Sequence, residues 1–251
     1  MKKIVFALLF GSLFTLTSCI DVLEEMRLNR NGSGSYSLSF DMSSLLEDPT
    51  MKSMMEQMLK SEGDIQIDGL RLGDGDALEI DTVMYLKDTP EAASLVEEKP
   101  KLWESVQMKM QISESKKKMI TSLNMEFEDV EDIDYFFRSL EKAGAGNAMA
   151  GGMLGSNGII PTGRALFKLK KKQLVREAPE VPKEATEGDQ MDMAKMFLAM
   201  ATYRTVYHLP GKVKKVSIAD AKIDGKTVTV DIPFLDILEG KAKLEGTIKY
   251  K

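Results

Sequence analysis

The stretch "ESVQMKMQISESKKKMITSLNMEF", residues 104–127, decides the fold. Val106, Met108, Met110 and Ile112 are apolar at alternate positions, and Met119, Leu123, Met125 and Phe127 resume the alternation after Lys116-Lys117-Lys118. Period 2 is the signature of a strand with one buried face, so the stretch predicts a β-hairpin. Polar residues fill the other positions, which predicts a sheet wet on one side.

The same pattern recurs outward in both directions. In "MRLNRNGSGSYSLSF", Met26 and Leu28 alternate with charge, Asn31 to Gly34 turns, and Tyr36, Leu38 and Phe40 continue. "IDTVMYL", "TYRTVYHL" and "KTVTVDI" read as strands, "RALFKLKKKQLVREA" as one strand with a basic edge, and Lys241 to Tyr250 as an alternating strand throughout. Helical spacing appears at Ser43 to Leu59, at Gln190 to Met200, and in "EDVEDIDYFFRSLEKAG". There Val130, Ile133, Phe136, Phe137 and Leu140 form one stripe. Strands outnumber helices. The expected fold class is α+β: a mainly antiparallel sheet with hairpins packed against two to four amphipathic helices.

The first nineteen residues, MKKIVFALLFGSLFTLTSC, set the context. Two lysines, an uncharged apolar run and two small residues form the layout of a secretory signal peptide, too short to span a bilayer. Leu16-Thr17-Ser18-Cys19 resembles the lipobox of bacterial lipoproteins. That resemblance implies a diacylglyceryl group on the Cys19 sulfur, with palmitate-type acyl chains, and cleavage just before it. Two chains give stable anchoring where one is marginal. The expected organisation is a signal peptide at 1–18 and one domain at 19–251, with an insertion around 143–200. The expected location is the bacterial cell envelope, on the membrane.

Without residues 1–18 the chain has 32 basic and 39 acidic residues, net −7. That balance argues against nucleic-acid binding. Cys19 is the only cysteine and His208 the only histidine, too few for a zinc site of His and Cys ligands. No HExxH, GxSxG or P-loop motif occurs. Asp74, Asp76, Glu79 and Asp81 could hold calcium, but the string lacks the EF-hand spacing and reads more simply as a Gly/Asp turn. The expectation is a non-enzyme without metal or cofactor.

The chain has 18 methionines. Met51, Met54, Met55 and Met58 fall on one helical face, and Met191, Met193, Met196 and Met200 cluster on a second helix. Methionine adapts to irregular gaps, so both clusters read first as core filler. The sharper reading is an adaptable apolar groove for acyl chains or a partner peptide, with Met51, Met54, Met55, Met58, Met193, Met196 and Met200 as ligand contacts. Thioether binding of Cu(I) is a weaker third reading. Lys168, Lys170, Lys171 and Lys172 suit anionic headgroups or, more simply, a solvated strand edge.

The segment from Tyr203 to Tyr250 resembles the end of the LppM-like lipoproteins: a strand into Leu209-Pro210-Gly211-Lys212-Val213, a turn at Asp224-Gly225, and a closing strand. It departs from them in lacking a C-terminal membrane helix, in having Val230 where an aromatic is common, and in its long central insertion. The resemblance implies a curved antiparallel sheet against helices around an apolar cavity. The function expected is a membrane-anchored module binding lipid or another apolar ligand. The alternative is an interaction lipoprotein that docks an envelope protein through the Gly/Met-rich stretch at 143–160.

Overall fold

The structure is a computed structural model, and it describes residues 20–47, 49, 79–89, 93–96, 98–142, 166–178, 199 and 201–251. Eight strands form the main sheet: β1 (Ile20–Leu28), β2 (Gly34–Asp41), β3 (Glu79–Tyr85), β4 (Gln107–Ser113), β5 (Lys118–Phe127), β8 (Ala201–His208), β10 (Lys222–Asp224) and β11 (Thr227–Pro233). Their order is β10-β11-β8-β1-β2-β5-β4-β3. A second sheet has the order β6-β7-β12-β9, from β6 (Phe167–Lys170), β7 (Gln173–Arg176), β9 (Val213–Val216) and β12 (Gly246–Tyr250).

Among the described residues every pairing is antiparallel except one, which joins β1 and β8 in parallel at the centre of the large sheet. The 104–127 hairpin forms as its alternation predicts, with Met110 opposite Thr121 and Ile112 opposite Met119. On β1, Ile20, Val22, Glu24, Met26 and Leu28 point inward, and the intervening residues face out. The outer face is polar: Glu25, Ser37, Asn124 and Gln107 form one cross-strand row, and Arg27, Ser35 and Glu126 the next. The large sheet is therefore dry on one side and wet on the other.

The described helices are short. Among the described residues, α1 (Ala93–Val96), α2 (Pro100–Ser105) and α4 (Phe234–Leu238) have four to six residues, and only α3 (Glu131–Lys142) reaches twelve. Its apolar stripe packs inward as its spacing requires, with Val130, Ile133 and Phe136 at most 1% exposed. Of the expected helix from Ser43, a 3-10 turn at Ser43–Leu46 is described; the remainder, residues 143–163 and the segment Gln190 to Met200 lie outside the described residues, apart from Glu47, Pro49 and Ala199.

Two strand expectations need correction. "LFKLKKKQLV" is not one strand but a hairpin, β6 and β7, that turns at Lys171-Lys172 with Lys171 at φ 56°. Alternation masks the turn because lysine is not a turn residue by type. The closing strand begins at Gly246, not Lys241, since Gly240 takes φ 67° and the chain is still leaving α4 through backbone bonds onto Asp236.

Gly34 also serves a purpose its turn-like sequence hides. A Cβ there would lie 2.0 Å from the Arg27 carbonyl oxygen and 2.6 Å from Phe127 Cζ, so β2 crosses its neighbours too closely for any side chain. Gly34→Ala should cost about 3 kcal/mol, at the upper end for overpacking. Gly225→Ala, with φ +57° but nothing within 4 Å, should cost about 1 kcal/mol. Urea midpoints of the two variants compare them directly; equal losses would contradict the close approach.

Candidate functional site

The interior between the sheets holds a buried polar network. Glu24 points inward from the central strand although its neighbours in phase, Val22 and Met26, are apolar. Glu24 Oε2 accepts from Arg176 Nη1 at 2.7 Å and from the Tyr203 hydroxyl at 2.7 Å, and Oε1 accepts from the Tyr36 hydroxyl at 3.2 Å. Arg176 reaches down from β7 of the second sheet and also donates to the Tyr207 hydroxyl at 2.5 Å. Glu24 is 1% and Arg176 5% exposed.

Burial, then the Glu24 carboxylate, holds the Tyr36 and Tyr203 hydroxyls well above the ordinary phenol pKa, and burial raises Tyr207 against the pull of Arg176. All three stay protonated. Burial disfavours the Arg176 charge, but Glu24 and the tyrosine oxygens more than offset it and lift its pKa well above the usual guanidinium value. The Arg176 Nε–H has no partner among the described residues, and its Cζ sits 5.5 Å from the Phe167 ring centre. The arrangement clamps one sheet to the other through fixed charge.

Around this clamp runs a chain of rings: Trp103 to Phe136 at 5.3 Å, Phe136 to Phe137 at 5.2 Å, Phe137 to Tyr36 at 6.1 Å, Tyr36 to Phe167 at 6.5 Å, and Phe167 to Tyr207 at 6.2 Å. Edge-to-face geometry of this kind adds to area burial. The described centre of the protein is thus filled by side chains. Packing loosens at the β3–β4 end of the same inner face. There Met84 stands opposite Met108 and Ile80 opposite Ile112, and Ile80, Met84 and Met108 remain half-buried. On the outer face of β3, Val83 and Tyr85 are exposed.

Of the residues the sequence singles out, Cys19 and the methionines Met51, Met54, Met55, Met58, Met191, Met193, Met196 and Met200 lie outside the described residues, as do Asp74 and Asp76. Cys19 directly precedes Ile20, which is 2% exposed at the start of β1. Glu79 and Asp81 are exposed and already engaged: Glu79 accepts from the Ser115 N–H and hydroxyl, which hold its pKa below the usual value, and Asp81 accepts from Gln111. Among the described residues no group of three or more His, Cys, Asp or Glu side chains is placed to hold a metal, and no helix is long and apolar enough to cross a membrane. His208 is half-buried on the outer face, with Nε2 3.0 Å from Glu25 Oε1 and Nδ1 3.4 Å from the Thr227 hydroxyl. Lys168 pairs with Glu177 at 2.5 Å.

Sequence reasoning missed Glu24 and Arg176. The signal was present in their phase: each charged residue falls where alternation calls for an inward apolar side chain.

No protein-family model matches the chain. No curated protein matches it either. Among solved structures it is similar to the NMR structure of the folded domain of LppM from Mycobacterium tuberculosis, with a TM-score of 0.43 and 8% identity over 96% of this chain and 94% of that one. A likeness at that level decides neither fold nor function.

Proposed function

We propose that the chain is an exported lipoprotein, tethered by lipid on Cys19, whose folded part is a non-enzymatic module for a lipid or other apolar ligand. The observation that carries the reading is the junction of lipobox and fold. Ile20, the residue after Cys19, is already buried in the central strand, so no linker separates an anchor from the domain. The end of the sandwich where β1 begins would then rest at the bilayer surface. Row by row across the sheet, that end also carries the Ile80–Ile112 pair. Beyond it along the same inner face lie Met84 and Met108, adaptable side chains that suit an acyl chain.

The test has two separable arms. Cys19→Ala should leave the domain folded but give an uncleaved precursor that is no longer anchored by lipid; normal processing and retention would overturn the anchor. Native mass spectrometry of the full chain, released from its membrane in mild detergent, should show a non-covalent lipid beyond the anchor mass. Met84→Asp, on the half-exposed edge, should lose that lipid. A chain carrying no such lipid would overturn the ligand while leaving the anchor standing.

A further inference from the structure

The end of the sandwich opposite Ile20 carries a second feature that the apolar reading does not use. β1 runs nine residues from Ile20 to Leu28, about 30 Å at strand rise. Past its far end lies an open cleft of about 470 Å³ lined by Arg30, Lys171, Lys172, Lys226 and Lys251, together with Tyr250. Among the described residues no aspartate or glutamate side chain lines it. None of the five cations has a carboxylate partner among the described residues, although the chain as a whole is net negative.

The cations come from four separate segments, and the backbone fixes their spacing. The Tyr250 N–H donates to the Lys172 carbonyl at 3.1 Å, Lys251 N–H to Lys212 at 2.9 Å, Val213 N–H to Gly225 at 2.9 Å and Leu209 N–H to Lys226 at 2.9 Å. Gly211 permits this closure, because a Cβ there would lie 1.9 Å from the Lys251 carbonyl oxygen. Lys171 takes φ 56°, where glycine or asparagine is the ordinary choice, so the hairpin accepts backbone cost with a lysine at its tip. Like charges gathered on a fixed rim repel one another, and a multiply charged anion relieves that repulsion.

We infer that this cleft, at the end of the sandwich opposite Ile20, binds a phosphate-bearing ligand. Phosphate fits because several cations converge on one concave space, and lysines bind it as point charges. The phosphate could be free or borne on a lipid headgroup, and the two are separable by experiment. The inference stands on the described fold and needs neither the acyl-chain reading nor the anchor chemistry.

The full chain, held in phosphatidylcholine nanodiscs, would be titrated calorimetrically with inorganic tripolyphosphate, and separately mixed with phosphatidylglycerol or phosphatidylcholine vesicles. Binding to tripolyphosphate, or capture by phosphatidylglycerol vesicles alone, is the expected result, weakening as salt rises. The first outcome assigns a free phosphate, the second a lipid-borne one. Lys172→Glu with Lys226→Glu should weaken binding at least tenfold. Lys116→Glu with Lys117→Glu, an equal charge change at the opposite end, should leave it unaltered. All four positions are exposed, so urea midpoints should not move. Failure of both probes to bind, or equal weakening by both pairs, would overturn the inference.

Discussion

Arg176→Ala should destabilise the protein by about 3–5 kcal/mol, because it strands the Glu24 carboxylate in the interior without its cation. Two tyrosine hydroxyls would still donate to Glu24, at 2.7 and 3.2 Å, but neither carries charge. Glu24→Ala should cost a similar amount by stranding the guanidinium. The informative variant is the double change, Glu24→Gln with Arg176→Met. Glutamine keeps an acceptor for Tyr203, and methionine fills the volume of the arginine stem. Removing both charges together is often neutral where removing one is severe. The double variant should therefore be more stable than Glu24→Gln or Arg176→Met alone, with a coupling energy of at least about 2 kcal/mol in the double-mutant cycle those three variants close, measured by urea unfolding. Simple additivity would mean that the pair does not act as a unit.

Trp103→Ala should cost about 3–5 kcal/mol, the range for truncating a large buried aromatic. Trp103 is fully buried on the short helix α2 and stacks at a tilt on Phe136 of α3. It begins the chain of rings that ends at Tyr207, so the loss would open a void where α2, α3 and β5 meet. Circular dichroism during urea unfolding measures the change, since Trp103 is the lone tryptophan and its own fluorescence would be gone. Phe136→Leu offers the complementary experiment: a smaller loss, with Trp103 emission intact to report it. A loss under about 1 kcal/mol in Trp103→Ala would contradict the packing described.

These two experiments probe parts of the fold that differ in legibility. The stripe on α3 and the 104–127 hairpin are local patterns, and local periodicity is enough to read them. The ion pair is different: Glu24 and Arg176 are 152 residues apart, and only the stacking of the second sheet over the first brings them together. Each sits in an apolar phase, which marks an inward charge but not its partner. The basic cleft is harder still. Arg30, Lys172, Lys226 and Lys251 read singly as solvated loop lysines and arginine, and their convergence depends on how the two sheets end. The lysines at 170–172 read as a strand edge for the same reason, since a turn made by Lys171 carries no glycine to announce it. The methionine helices show the opposite limit: clear periodicity over segments that lie outside the described residues.

The parallel pairing of β1 with β8 bears on the order in which the chain can be completed. Tyr203, which hydrogen-bonds Glu24, lies 179 residues further along. Synthesis delivers β1 first, but its neighbour on one side, β8, begins only at residue 201. Contacts of such long sequence separation form slowly, because loop closure must precede them. A nascent chain stopped before residue 201 would hold the strand that follows Cys19 with one edge open. The centre of the large sheet thus delays its own completion until the strand that begins at residue 201 has been made.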